Sequence, residues 1–341
     1  MRRLLPIVAV AVMLVLAGCS GSFVPDGSDS ASDDDSESDD DLEVHHIDVG
    51  QADSTLLNTP EGETILIDTG DWRDDGEAVI DYLEARGIDR IDHLVATHGH
   101  ADHVGGHAAV IEHFEEHGDG VGAAYDSGVV QTTATYDRYL DAIEAHDVTL
   151  YEVDAGDELP LDDEAVEGTV LNPPEGASDD VDANGIVLSV EYDSFSYLTT
   201  GDAESTAESR LVEEWGDESA LEADVYQAGH HGSSTSSTPR FLDAVDPRIA
   251  VISSALESQY GHPHDEVLEA FAERGIETYW TGVHGDVVVT TDGESVAVET
   301  ERDASTDPDD LLEAKSDASD GSDASLEGPS IETAPAPTAR R

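Results

Sequence analysis

Cysteine, lysine and long apolar runs are almost missing from this chain. Cys19 is the only cysteine, so no disulfide can close within the chain and no thiolate metal cluster can form. Lys315 is the only lysine among 14 basic residues, which face 79 acidic ones for a formal charge of -65. Self-repulsion of that size is tolerable where salt screens it. At molar salt the Debye length is only about 3 Å, and high net charge is a lever that halophiles use. The composition therefore predicts a halophilic, archaeal source. An acidic surface ordinarily opposes a nucleic-acid partner, but concentrated salt screens the repulsion, so the charge excludes no such partner. Only the N-terminus carries an extended apolar run, and no second one is long enough to span a bilayer.

That first run explains the lone cysteine. "MRRLLPIVAVAVMLVLAGC" opens with Arg2 and Arg3, continues with an apolar stretch and ends in small residues before Cys19. The pattern is a secretory signal, and "LAGC" resembles a lipobox, whose cysteine is lipidated. Residues 1–19 are expected to be a lipoprotein signal peptide, with the body held outside the cell by lipid on Cys19. Residues 20–42 are rich in Ser, Asp and Gly and read as a solvated spacer, and 302–341 as a disordered acidic tail. The folded domain is expected over 43–301. The apolar fraction of 38 % suffices for a core there.

Within 43–301 strand and helix patterns alternate. "EVHHIDV", "STLLNT", "TILIDTG" and "IDHLVATH" read as strands, as do "GTVLNPP", "GIVLSVEY", "SFSYLTTGD", "ADVYQAGHHG" and "RIAVISS". "DGEAVIDYLEARG", "VGGHAAVIEHFEEHG", "TATYDRYLDAIEAHD", "AESTAESRLVEEWGD" and "HDEVLEAFAERG" have helical spacing. Two halves that each mix strands with helices predict an α+β fold of two packed sheets with helices outside.

The chemistry-bearing residues fall at strand ends. Asp68 closes one strand. "THGHADH" follows another and packs His98, His100, Asp102 and His103 into six residues. Asp202 closes a third and His230 a fourth. Histidine needs partners when buried, and four good ligand groups on one turn point to a metal. Loops at strand ends are where sites form.

With these residues in place, the chain resembles the metallo-β-lactamase superfamily. "THGHADH" matches its His-x-His-x-Asp-His signature, and Asp68 in "LIDTG", Asp202 in "TTGDAE" and His230 in "GHHGS" match its further positions in order. "HIDVGQADSTLL", "ANGIVLSVEYDSFSYLTTGDAE", "QAGHHGSSTSS" and "YGHPHDEVLEAF" are similar to the extracytoplasmic hydrolase domain of ComEC-type competence DNA-uptake proteins. The resemblance implies a four-layer αββα sandwich with a metal site along one edge. It also implies a hydrolase acting on phosphodiesters, DNA in particular. The third histidine that many members carry for the first ion falls where Asn184 and Gly185 stand.

The donor set suits one or two ions of Zn²⁺ or Mn²⁺. His98 and His100 can face one ion, Asp102 and His103 a second. Asp202 can bridge, and His230 can complete the second site. Without a third histidine the first site is expected to be the weaker. Asp68 is expected to fix a ligand's tautomer. Asp102 and His231 are the candidate catalytic groups, with His231 protonating a leaving oxygen. Ser233 and Ser234 either hold phosphate or cap the helix that starts near Thr238. His262 and His264 either line a substrate groove or form a turn before a helix. His45, His46, His93, His107, His113, His117 and His146 are assigned to acidic helix faces and strand surfaces. The ligands alone would also serve hydrolysis of another ester, a lactone or a β-lactam. A non-catalytic surface module that binds DNA or a partner is the third possibility.

Overall fold

The computed structural model describes residues 41–176, 180–216 and 220–326, the last seven as backbone only. The expected signal peptide, the lipidated Cys19 and all but the end of the spacer lie outside the described residues. Six strands open the domain: β1 (Leu42–His46), β2 (Thr55–Asn58), β3 (Thr64–Ile67), β4 (Ile91–Ala96), β5 (Val121–Asp126) and β6 (Thr149–Glu152). Six more follow as β7 (Val166–Asn172), β8 (Val187–Tyr192), β9 (Phe195–Thr199), β10 (Val225–Gln227), β11 (Ile249–Ile252) and β12 (Glu277–Trp280), before β13 (Val287–Thr291) and β14 (Val296–Thr300). The helices are α1 (Glu77–Ala85), α2 (His107–His117), α3 (Ala134–Ala145), α4 (Ser205–Trp215), α5 (Pro239–Val245), α6 (Asp265–Arg274), the single turn α7 (Thr281–His284) and α8 (Pro308–Leu326).

One sheet has the order β14-β13-β1-β2-β3-β4-β5-β6, the other β12-β11-β10-β9-β8-β7. Each sheet is part antiparallel and part parallel, the parallel stretches being β3 to β6 and β9 to β12. Strand side chains alternate between faces, and here both faces are buried. In β3, Ile65 and Ile67 enter the core between the sheets while Leu66 meets the helices. In β11, Ile249 and Val251 face inward while Ala250 and Ile252 face out. Burial on both sides is why these strands read as continuous apolar runs. Val79, Ile111, Phe114 and Tyr139 of α1, α2 and α3 cover the first sheet. Leu211, Leu242, Phe271 and Leu311 of α4, α5, α6 and α8 cover the second. The result is the expected αββα sandwich.

Three departures from the sequence expectations have physical causes. The segment read as a disordered tail from 302 includes α8. Leu311 is buried in the outer core of the second sheet, and Lys315 Nζ lies 2.5 Å from Asp265 Oδ1 on α6. The Thr306 carbonyl accepts the Thr278 N–H at 2.9 Å, which ties the approach to α8 onto β12. Second, β5 and β6 are strands that small residues and full exposure, respectively, had hidden. Third, His45, His46, His93 and His107 are buried rather than on surfaces. Hydroxyl partners make this possible: Tyr82 for His45 and Tyr125 for His93, each at 2.9 Å, and Thr69 for His107 at 2.6 Å. No helix among the described residues is long and apolar enough to cross a membrane.

Candidate metal centre

The parallel strands deliver their C-terminal ends to one edge. Asp68 follows β3, the His98–His103 turn follows β4, Asp202 follows β9, and the Gly229–Gly232 turn follows β10. Backbone hydrogen bonds brace the histidine turn against its neighbours. Thr69 N–H donates to His103 O at 2.8 Å, Trp72 N–H to Ala101 O at 3.0 Å, and Asp53 N–H to Asp102 O at 3.1 Å. So close an approach explains the paired glycines. A Cβ on Gly105 would strike the Trp72 amide nitrogen, and one on Gly106 the Thr69 carbonyl.

His103 is held from both sides. Its Nδ1 lies 2.7 Å from Asp68 Oδ2, and its Nε2 lies 3.1 Å from Asp202 Oδ1. Asp68 also accepts the Thr97 N–H at 2.9 Å and the Thr97 hydroxyl at 2.6 Å. Burial opposes charge on Asp68, but His103 and these donors together hold its carboxyl below the usual carboxylate range. Asp68 adopts the left-handed φ of 58°, an uncommon conformation that aspartate tolerates better than most residues. Burial likewise opposes an imidazolium at His103, yet Asp202 and Asp68 raise its pKa.

A second group gathers on the other oxygen of Asp202. His98 Nε2 and His100 Nδ1 are 3.0 Å apart, and His98 Nε2 is 3.7 Å from Asp202 Oδ2. Burial drives the His98 pKa down to about 3, so its ring is neutral and one ring nitrogen has its lone pair available. Asn184 is buried next to this group, but its amide donates to the Asp180 carbonyl at 2.7 Å and its Oδ1 lies 3.5 Å from Arg210 Nη2. The same loop brings Asp182 instead, with Oδ1 3.4 Å from His100 Nδ1.

His230 and His231 occupy consecutive left-handed positions, with φ of 51° and 56°, so their rings reach different places. His231 is the buried one. Its Nε2 lies 3.4 Å from Asp102 Oδ2 and 3.8 Å from Asp202 Oδ1, and its Nδ1 donates to Ser253 O at 3.0 Å. His230 Nε2 lies 3.6 Å from Asp202 Oδ2, on the His98 side, and its ring is partly open to solvent. Asp53 completes the buried group, with Oδ2 3.6 Å from His231 Nδ1 and Oδ1 accepting from Gln227 Nε2 at 2.7 Å. Gln227 is in turn fixed by hydroxyls from both sheets, Thr55 at 3.1 Å and Tyr197 at 2.7 Å. Neither Asp53 nor Asp182 was found from sequence. The glycine and glutamine beside Asp53 in "VGQADS" were the only local signal.

The remaining candidates lie around the rim. Ser233 Oγ is 2.9 Å from Thr235 Oγ1, and the Ser234 N–H donates to His264 Nδ1 at 2.8 Å. Neither serine caps α5: the Ser237 and Thr238 N–H groups donate to the Glu208 carboxylate instead. His264 is the N-cap residue of α6. The His262 ring centroid is 4.9 Å from that of His264, 5.6 Å from His230 and 6.2 Å from His231, at the mouth of the cluster.

Two sets of donors lie close enough to share an ion: Asp53, His103, Asp202 and His231, and His98, His100 and Asp202. The first set fits a cation on a further ground. His103 Nε2, Asp202 Oδ1 and His231 Nε2 are all buried and make no hydrogen bond. Leaving three such atoms unsatisfied would be costly, whereas a divalent cation satisfies them together.

Residues 47–255 match the family model of the metallo-beta-lactamase superfamily, and the chain belongs to that superfamily. The fold implies a divalent metal. The chain is similar to ComE operon protein 3 of Bacillus subtilis, 31 % identical over 72 % of this chain and 32 % of that protein. It is similar as well to competence protein ComA of Neisseria gonorrhoeae, 30 % identical over 70 % of this chain and 30 % of that one. It thus spans about a third of the length of these relatives. Among solved structures, the diiron β-hydroxylase CmlA of Streptomyces venezuelae aligns with a TM-score of 0.47 and 16 % identity, over 72 % of this chain and 53 % of that one.

Proposed function

We propose that this protein is a metal-dependent phosphodiesterase that cleaves DNA at the outer face of the cell membrane, tethered by lipid on Cys19. The convergence of His103 Nε2, Asp202 Oδ1 and His231 Nε2, none of them hydrogen-bonded, carries the proposal. The names of the competence relatives support the DNA substrate, and the N-terminal sequence supports the tether.

His103, His231 and Asp202 would hold one ion, zinc or manganese, joined by Asp102, whose Oδ2 lies by His231 Nε2, rather than by Asp53, whose Oδ2 lies by His231 Nδ1; His98, His100 and Asp202 would hold a second. When bound, such ions lower the pKa of water and stabilise charge on oxygens at phosphorus. The chain's residues prepare the pocket. Asp68 accepts the Nδ1–H of His103 and the Ser253 carbonyl that of His231, so each ring would turn Nε2 to an ion. The roles of the neighbouring histidines therefore exchange relative to the sequence expectation. His231 is the ligand, and the partly open His230, with Nδ1 3.4 Å from Glu204, hands a proton to the leaving oxygen.

The test is hydrolysis in molar salt with Mn²⁺ or Zn²⁺, offering single-stranded DNA, a chromogenic phosphodiester, a lactone and a β-lactam. DNA and phosphodiester cleavage should disappear with metal content in His231→Ala. In His230→Gln metal content should persist and kcat should fall roughly 10²–10⁴-fold. Cleavage confined to the lactone or lactam would overturn the substrate assignment, and bound metal without any turnover would overturn the enzyme.

A further inference from the structure

Next to the metal cluster a cleft of about 400 Å³ reaches Asp102. Aromatic rings stand on its walls. Trp72 is 48 % exposed and Tyr260 58 % exposed, two of only five large apolar side chains that stand out among the described residues. Both rings are tied to the centre. The Trp72 amide is bonded to Ala101 within the histidine turn. The Tyr260 ring lies 5.7 Å from His262, which stacks in turn on His231 at 6.2 Å and 26°. Arg73 lies over the Trp72 ring at 4.9 Å and is bound to both carboxylate oxygens of Asp71, at 3.1 and 2.9 Å. Gln51 lines the cleft, and its Oε1 is buried without a hydrogen-bond partner. Beyond Trp72 and Arg73 a further hollow of about 520 Å³ continues to Arg138.

We propose that this cleft is a nucleobase subsite, which takes a base of a single strand beside the phosphodiester at the metal centre by stacking it on Trp72 and Tyr260. The assignment rests on the hydrolase reading for the phosphodiester and on the cleft itself for the base. Asp71, Asp74 and Asp102 line the cleft with Arg73 as the one cation, itself paired with Asp71, so the lining offers phosphate no free positive charge and an uncharged flat ring is the fitting occupant. With 14 basic residues against 79 acidic ones, the chain has little from which to build a basic groove for a polyanion. Stacking needs no positive surface, and base–aromatic contacts tolerate any sequence. Unlike attraction between charges, stacking is not screened in strong salt. A paired duplex keeps its bases stacked on one another, so the subsite selects single strands.

The experiment is a fluorescence titration of the full chain in molar salt with EDTA, so that binding is read apart from cleavage. Of the three tryptophans Trp72 is the exposed one; Trp215 is half-buried and Trp280 fully buried. A short single-stranded oligonucleotide should quench the emission, and an abasic oligonucleotide of the same length should bind far more weakly. Trp72→Ala and Tyr260→Ala, read by competition with a dye-labelled strand, should each weaken binding by roughly 5- to 150-fold, the range of one lost stack. Trp72→Phe and Tyr260→Phe should restore most of it. Equal binding of abasic and base-bearing strands, or alanine variants that bind like the parent, would overturn the subsite. Binding with these preferences but no cleavage once metal is restored would leave the subsite standing and overturn the phosphodiesterase instead.

Discussion

His103 Nε2 and Asp202 Oδ1 face each other 3.1 Å apart across the gap between the two sheets, and neither atom makes a hydrogen bond. Such a pair is held ready for a third, positively charged partner. Folding stability should therefore follow metal. A ligand at about 100 times its Kd stabilises by about 2.7 kcal/mol, so Mn²⁺ or Zn²⁺ should raise the melting temperature of the EDTA-treated protein. Asp202→Ala should abolish the rise. A melting curve indifferent to metal would contradict the centre.

Asp68 and Asp53 act on the ring nitrogens opposite the donor atoms. Replacing such partners typically costs 10–100-fold in metal affinity. Asp68→Asn should weaken metal binding by about that factor in a calorimetric titration. Asp53→Asn should do the same to a lesser degree, because Ser253 O already fixes His231.

Acid should destabilise the domain through two buried histidines outside the donor sets, His46 and His107. Burial lowers the pKa of His46 to about 3 and that of His107 to about 4, against about 6.5 when unfolded. The unfolded chain thus binds protons that the folded chain refuses. The stability these rings contribute is present above pH 6.5 and is lost as pH falls toward their folded values, by up to about 1.4 kcal/mol per pH unit for each. Urea midpoints measured with EDTA between pH 7 and 5 should fall. The fall should be shallower in His46→Gln and in His107→Gln.

The packing of α8 predicts that the acidic C-terminal segment stabilises the domain. Leu311→Ala, at a side chain only 1 % exposed, should cost about 2–5 kcal/mol in chemical denaturation. Unchanged stability would mean that α8 is not docked in solution.

Much of the centre was legible because it is local. His98, His100, Asp102 and His103 share one turn, and Asp68 and Asp202 each end an apolar strand. What escaped depends on three dimensions. Asp53 lies far from the histidine turn in sequence and joins it through its N–H to Asp102 O and through Gln227, which Thr55 of β2 helps to hold. That His231 is buried among the donors while His230 stands partly open follows from two left-handed backbone conformations, which no pattern of neighbours announces. Tyr82 and Tyr125 make buried His45 and His93 acceptable, but each partner is more than 30 residues away. In α8 a few leucines decide docking within a segment whose average composition says solvent.

Asp202 turns one oxygen toward His103 and His231 and the other toward His98 and His230. A single negative charge is thus divided between two neighbouring pockets that cannot be filled as strangers. Were two cations bound, the first would draw that charge to itself and the second would meet both its repulsion and a weaker ligand, so the pair would fill stepwise.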